Sequence, residues 1–397
     1  MTDLQTRPGT ATDGGVDAAE LARRTIRRSD WVPCNSAFID CRTPGSDRKS
    51  NYAFVGPGVS QNPNQYVNLT DPHGFNLGAA GMPNGVNNNL HLHFTAEVFI
   101  NLGGEFLIRW GVDGTEGEYR CGDGDIISVP TWAFRGFTNV GPDDGILLTI
   151  LGHDVTGGII WGPAVLRDAE AHGLHLTADN QLIDTVAGDV LPDDVALIKP
   201  MPAEQIAQLR SWSVEEMRAR VMAPGDRRYS ERSQLCAGLP GGDGRLALVI
   251  GYGQSEDRTA QPLLHEPHTF NVAWLKATPG EGLLTHRHQR TSVVVAKSGR
   301  WEVTLGHGDE AQTTVLGQDD MLSVPVGVWR SFRLVEEAGS PAEPGTGELL
   351  IINGGDDRVR LEWAPEVVQA AEQAGWVIDP NGYVAPAAVM RTATEDD

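Results

Sequence analysis

Gly85-Val-Asn-Asn-Asn-Leu-His91-Leu-His93-Phe-Thr-Ala-Glu97-Val-Phe-Ile-Asn-Leu-Gly-Gly104 has a counterpart 195 residues downstream, Gly280-Glu-Gly-Leu-Leu-Thr-His286-Arg-His288-Gln-Arg-Thr-Ser292-Val-Val-Val-Ala-Lys-Ser-Gly299. Both glycines and both members of the His-x-His pair return in register. The same offset runs without a gap from Cys41/Cys236 to Phe137/Phe332, through Pro130/Pro325 and Arg135/Arg330. After an insertion at Gly339-Ser-Pro-Ala-Glu-Pro-Gly345 the register resumes at 202 residues, where Trp161-Gly-Pro163 answers Trp363-Ala-Pro365. The chain is one domain duplicated in tandem, and each copy is a control on the other.

Inside each copy, short runs such as Glu97-Val-Phe-Ile-Asn-Leu, Glu105-Phe-Leu-Ile-Arg-Trp, Asp125-Ile-Ile-Ser-Val-Pro and Ile146-Leu-Leu-Thr-Ile-Leu are separated by Gly, Pro, Asp and Asn clusters. This spacing predicts an all-β sandwich or barrel. Each copy ends in a helical pattern with Pro at its first turn and Gly just past its end, Pro163 to Gly173 and Pro365 to Gly375. The predicted organisation is an N-terminal arm over 1–30, mobile or an oligomer contact; domains over 31–186 and 231–390; a helical linker over 187–230; and a tail over 391–397. The linker carries helical patterns over 203–210 and 213–221, the second opening on a Ser-x-x-Glu capping box.

The 397 residues include 53 acidic and 31 basic side chains, a net charge of −22, with no Lys/Arg run that could follow a phosphate backbone. Nucleic acid and anionic membranes are therefore excluded as expected partners. The polar N-terminus lacks the apolar core of a signal peptide, and the apolar runs are strand-length. A soluble cytoplasmic protein is expected, with homo-oligomer formation open. Four scattered cysteines do not form a disulfide framework.

In an extended strand, residues 91, 93, 95 and 97 share one face, so two imidazoles and a carboxylate would converge on it. Two histidines and a carboxylate suit non-haem Fe(II) with open positions, and also Mn(II) or Zn(II). Gly85, His91-x-His93, Glu97 and Gly104 match the first motif of the cupin superfamily at every spacing, and Gly124, Pro130 and Asn139 resemble its second. The resemblance implies tandem jelly-roll β-barrels with a few flanking helices, a bicupin, holding metal on His91, His93 and Glu97. Two positions depart from the pattern: Arg135 stands where the family places a third histidine, and Trp132 where it places a turn glycine.

Arg135 leaves two arrangements open. It could hold a substrate carboxylate beside the metal, or pair with Glu97 in a site without metal. The second copy keeps His286, His288 and Arg330 but has Ser292 at the glutamate position, so Arg330 has no such partner. That comparison favours the anion anchor. It also makes His286, His288 and Arg330 a possible second site that is metal-free or weakly metallated and serves structure or allosteric binding. His73 and His268, in matching Pro-His segments, are read as a third ligand or acid/base candidate, or as strand histidines hydrogen-bonded to the neighbouring carboxylate; His153 is a substitute third ligand or a loop residue. Trp110, Trp132, Phe134 and Phe137 are pocket wall or core. The stretch Val129-Pro-Thr-Trp-Ala-Phe-Arg-Gly-Phe137 resembles a segment of gentisate-type ring-cleaving dioxygenases.

The expected function is an Fe(II)-dependent dioxygenase of a small anionic, aromatic or enolisable substrate, with Arg135 and His73 as catalytic candidates and no organic cofactor. The alternatives are a redox-neutral metal-dependent isomerase or lyase, and a non-catalytic anion-binding bicupin.

Overall fold

A computed structural model describes residues 15–337 and 345–392. The start of the expected arm, most of the insertion at 339–345 and residues 393–397 of the expected tail lie outside the described residues. Among the described residues no helix is long and apolar enough to cross a membrane. The chain divides into two units: residues 29–227 with 263–270, built on the first copy, and residues up to 28 with 228–262 and 271 onward, built on the second.

Each unit is a two-sheet jelly roll. In the first, a seven-stranded sheet takes the order Val221–Met222, Ile126–Val129, Glu97–Gly103, Gly145–Gly152, Phe75–Met82, Ser50–Val55, Val67–Leu69. Its five-stranded partner takes the order Ile159–Trp161, Asn87–His93, Arg135–Asn139, Phe106–Trp110, Gly117–Cys121. The second unit repeats this plan with six and five strands. Phe99, Phe106, Ile108, Trp110, Phe137 and Leu147 form the first core, and Leu275, Trp301, Val303, Phe332 and Leu349 part of the second. The alternation of apolar and polar residues along strands such as Phe106–Trp110, buried at every second position, is the pattern of one inward face. Gly104 (φ 93°) turns the chain so tightly that a Cβ there would lie 2.6 Å from the Gly145 Cα.

The described part of the expected arm, from residue 15 onward, packs on the second unit. Asp17 caps the helix Ala18–Arg24, and Thr25–Ile26 pairs with Met321–Val324 at the edge of the second unit's sheet. Arg27 and the Arg28 N–H both bond the Asp320 carboxylate, and Leu21 and Ile26 are buried. The strand Val221–Met222, which precedes the second copy, pairs in the same way with Ile126–Val129 of the first. Each copy's sheet is thus completed by the strand that precedes the other copy. The exchange extends the repeat upstream: Asp17 and Ser213 both cap a helix, each accepting the N–H of a glutamate three residues on, and Leu21 and Met217 are both buried.

The terminal helices Pro163–Ala171 and Pro365–Gln373 carry the expected punctuation. The linker helices are shorter than their patterns predict, Ala203–Ile206 and Val214–Arg218, because the chain must leave the second helix to enter the Val221–Met222 strand. Residues 187–227 belong to the first unit instead of standing between two domains.

Candidate metal centre

The strand Asn87–His93 has little intrinsic strand preference in its run of asparagines. It is held by neighbours on both sides, Arg135–Asn139 and Ile159–Trp161. Within it His91 and His93 face the interior, 3% and 1% exposed. Glu97 does not lie on the same strand, as simple alternation predicted. A turn at 94–96 carries the chain from the five-stranded sheet to the seven-stranded one, so the carboxylate arrives from the opposite wall. Ligand atoms of His91, His93 and Glu97 nevertheless lie within 4.8 Å of one another, all buried.

Each histidine is already oriented. His91 Nδ1 lies 2.7 Å from the Asn89 carbonyl and His93 Nδ1 3.4 Å from that of Gly158, which assigns the proton to Nδ1 and leaves the Nε2 lone pairs free. Burial, reinforced for His91 by His93 and Arg135, keeps the His91 pKa well below its ordinary value, and burial lowers that of His93. Burial alone would raise the Glu97 carboxyl, but the cations it faces, His93 when protonated and Arg135, hold it at about 2. Two neutral imidazoles and an ionised carboxylate are the donor set a divalent metal requires. Behind His91, the buried pair Lys49–Asp40 braces Asn88, whose amide approaches His91 Nδ1.

Of the two arrangements open for Arg135, the structure has it on Glu97, Nε to Oε2 at 2.9 Å, with Nη1 on the Ala133 carbonyl. Its Nη2 has no partner among the described residues. The pairing occupies one carboxylate oxygen and leaves Oε1, 3.5 Å from His93 Nε2, as the third donor. The site opens on a cavity walled by Phe38, Tyr52, Leu77, Asn88, Phe137 and Trp161 among others. The space open to the centre of a water molecule is about 70 Å³, room for on the order of five waters or one small organic molecule.

Other candidates fall elsewhere. His73 is buried with Nδ1 on the Asp71 carbonyl at 2.6 Å and is not on the described cavity wall. His153 is exposed, with its backbone carbonyl on Asn76. Trp110 is core, its indole on the Trp212 carbonyl. Trp132 is 45% exposed and takes a left-handed backbone (φ 64°) where the resemblance expects glycine; its N–H meets the His93 carbonyl and its ring packs on Phe94. Phe38, Tyr52 and Trp161 were not anticipated as cavity wall; of these only Trp161 had a signal, its match with Trp363.

No protein-family model matches the chain, and no curated protein matches its sequence. Solved structures do. A Lactobacillus farciminis oxalate decarboxylase formate complex superposes with a TM-score of 0.51 at 11% identity, over 94% of each chain. Bacillus subtilis oxalate decarboxylase at pH 4.6 superposes with a TM-score of 0.51 at 13% identity, over 94% of this chain and 88% of that one. The chain has the bicupin fold. At such identities the likeness establishes architecture, and the chemistry rests on the residues.

The second barrel of this bicupin has lost the donor set. Arg330 Nη1 lies 3.0 Å from His288 Nε2, the lone pair a metal would need. Ser292, in place of a carboxylate, receives the same nitrogen at 3.2 Å and turns its own hydroxyl to Asn353. The remaining Arg330 donors reach the Val328 and Pro325 carbonyls. The Arg330 nitrogens, expected from the sequence to serve an anion anchor, meet neutral acceptors within the barrel. His286 Nε2 is buried without a partner among the described residues.

One carboxylate in this unit is unusual. Glu256 is 3% exposed and accepts N–H groups from Trp363 and Leu235. Burial, only partly offset by those bonds, raises its carboxyl from 4.5 to about 7. Below about pH 4.5 it is protonated folded and unfolded. Between there and pH 7 only the unfolded chain ionises, so stability falls as pH rises and levels off above 7, by roughly 3 kcal/mol at about 1.4 kcal/mol per pH unit. Urea titrations should find Glu256→Gln more favourable, relative to wild type, at pH 8 than at pH 5 by about 2–3 kcal/mol. Equal differences at both pH values would mean that Glu256 titrates normally.

Proposed function

We propose that the first barrel is the mononuclear metal site of an oxidoreductase, with Fe(II) the preferred ion and a small oxyanionic, aromatic or enolisable substrate. The observation that carries this is the convergence of three buried donors, His91, His93 and Glu97, on the wall of a small cavity. A ferrous ion on His91, His93 and Glu97 would supply electrons for dioxygen and a Lewis-acid seat for a substrate oxygen; Mn(II) or Zn(II) suits the same donors. Arg135 and Glu97 cancel in charge and the imidazoles are neutral, so the protein leaves a divalent ion's charge uncompensated. An anionic ligand supports that balance better than a neutral one. Aromatic rings on the wall accept a flat apolar body and exclude water. Arg135 acts on Glu97, fixing the rotation of the carboxylate.

A redox-neutral lyase acting on a small carboxylate uses the same donors, and the oxalate decarboxylases of like fold favour it as the second reading. Anaerobic reconstitution with Fe(II), followed by an oxygen electrode and a panel of phenolic and 2-oxo acids, separates the two. Oxygen uptake matching substrate loss is expected. Turnover that proceeds equally well without oxygen would replace the dioxygenase reading with the lyase.

A further inference from the structure

Lys49 and Asp40 form an ion pair inside the first unit, 2% and 0% exposed, with the ammonium 2.9 Å from both carboxylate oxygens. Neither is one of the proposed metal donors. The ammonium also donates to Asn88 Oδ1. The Asp40 carboxylate accepts the Asn89 backbone N–H at 3.3 Å and the Asn89 amide at 3.4 Å. Both asparagines meet His91 Nδ1, the Asn89 carbonyl at 2.7 Å and the Asn88 amide nitrogen at 3.3 Å.

The second copy builds the matching loop without the charges. The N–H groups of Cys41, Thr43 and Ser46 bond the carbonyls three residues back, and those of Ala237, Leu239 and Gly242 do the same, one residue out of the 195-residue register. Cys236 thus takes the place of Asp40, and its sulfur accepts the Leu284 N–H as Asp40 accepts that of Asn89. Gly244 stands for Lys49, Leu283 for Asn88 and Leu284 for Asn89. Cys236 and Leu283 belong to the second core, and Leu284 packs against it. Apolar packing therefore holds the strand before His286, whose Nδ1 meets the Leu284 carbonyl at the same 2.7 Å.

The loop folds without a buried ion pair, and such a pair adds little or no stability over well-packed apolar residues of similar volume. It occurs in the copy that has the donor set. There Asn88 stands on the cavity wall instead of in a core, and the run of asparagines leading to His91 has low strand preference. Residues of this kind are fixed by hydrogen bonds to groups that cannot move: with Oδ1 on the Lys49 ammonium, the Asn88 carboxamide has one orientation, its nitrogen toward His91. We propose that Lys49 and Asp40 are positioning residues of the metal centre, holding Asn88 and Asn89 and, through them, the ring of His91. They act behind the ligand, as the outer partners of metal-bound histidines do. The ion rests on the metal-site reading; the hold on His91 does not.

The test uses the full chain with Zn(II) as the probe. It compares Lys49→Met, which strands the Asp40 carboxylate, with Asp40→Leu/Lys49→Met, which makes the pair apolar as the second copy is. The single variant should lose stability in urea and the double variant should regain most of it. Zinc affinity, read by chelator competition on folded protein, should stay at least about tenfold below wild type in the double variant. A pair that serves only folding would return wild-type affinity together with stability. In zinc-free protein at about pH 8, where histidines are neutral, ¹⁵N-labelled rings report placement directly, with His91→Gln assigning one signal among the eleven histidines. Wild-type His91 should show the Nδ1–H tautomer alone and the double variant a mixture, while His286 stays the same in both. Wild-type zinc affinity in the double variant, His91 ring signals identical to wild type, or a double variant that no longer folds would each overturn the inference. If the wild type itself takes up no zinc, the metal reading falls, and the His91 signals alone decide whether the pair holds that ring.

Discussion

Glu97→Gln is expected to remove metal binding altogether: protein reconstituted anaerobically with Fe(II) should fall from near one ion per chain to background, and activity with it. Glutamine keeps the shape and still accepts a hydrogen bond from Arg135, so the loss isolates charge. That charge is fully present in the wild type, since Glu97 is held at about 2 and is ionised throughout the working range. The same substitution leaves the Arg135 guanidinium, 0% exposed, without its counter-ion. Breaking a buried pair from one side costs about 3–5 kcal/mol, and the retained amide contact places this case toward the lower end. Elemental analysis and thermal unfolding of the same preparation check both effects. A variant that still held stoichiometric iron would remove Glu97 from the donor set and the proposed site with it.

The His-x-His pair was legible because strand alternation is local: two residues apart on a strand means one face, whatever the rest of the chain does. Glu97 was legible only through motif spacing. The geometric reason offered for it was incorrect, because the turn at 94–96 hands the chain to the facing sheet and convergence depends on how two sheets pack. Arg135 could be placed beside the site, yet choosing between substrate and Glu97 required knowing that a carboxylate oxygen lies 2.9 Å away. The segment Asp17 to Ile26 has its counterpart in Ser213 to Met222, and neither shows its packing role until the two are set side by side. Compared at the right offset, Asp17-Ala-Ala-Glu20 and Ser213-Val-Glu-Glu216 are the same cap, and the exchanged strands follow directly from them. Tandem duplication thus makes the fold legible, whereas a position that differs between the copies, such as Glu97/Ser292, takes its meaning from the contacts each side chain makes.

Arg135→Leu separates a metal site that contains an arginine from one that an arginine has replaced. Without metal, the substitution strands the Glu97 carboxylate among buried groups, and thermal or urea unfolding should report a loss of about 3–5 kcal/mol, eased where Glu97 can protonate. With metal, the sign changes. Arg135 both repels a divalent ion and draws electron density from the carboxylate that would bind it, so its removal should tighten zinc affinity by at least about tenfold in chelator competition and let added zinc recover the lost stability. Arg330→Leu is the internal control. It also removes a buried guanidinium, but the side chains it leaves, His286, His288 and Ser292, include no carboxylate. It should lose stability that zinc does not restore. If Arg135→Leu behaves in the same way, with neither tighter binding nor recovery, then the guanidinium is the permanent occupant of the first barrel as it is of the second, and the cavity beside it serves a ligand without a metal.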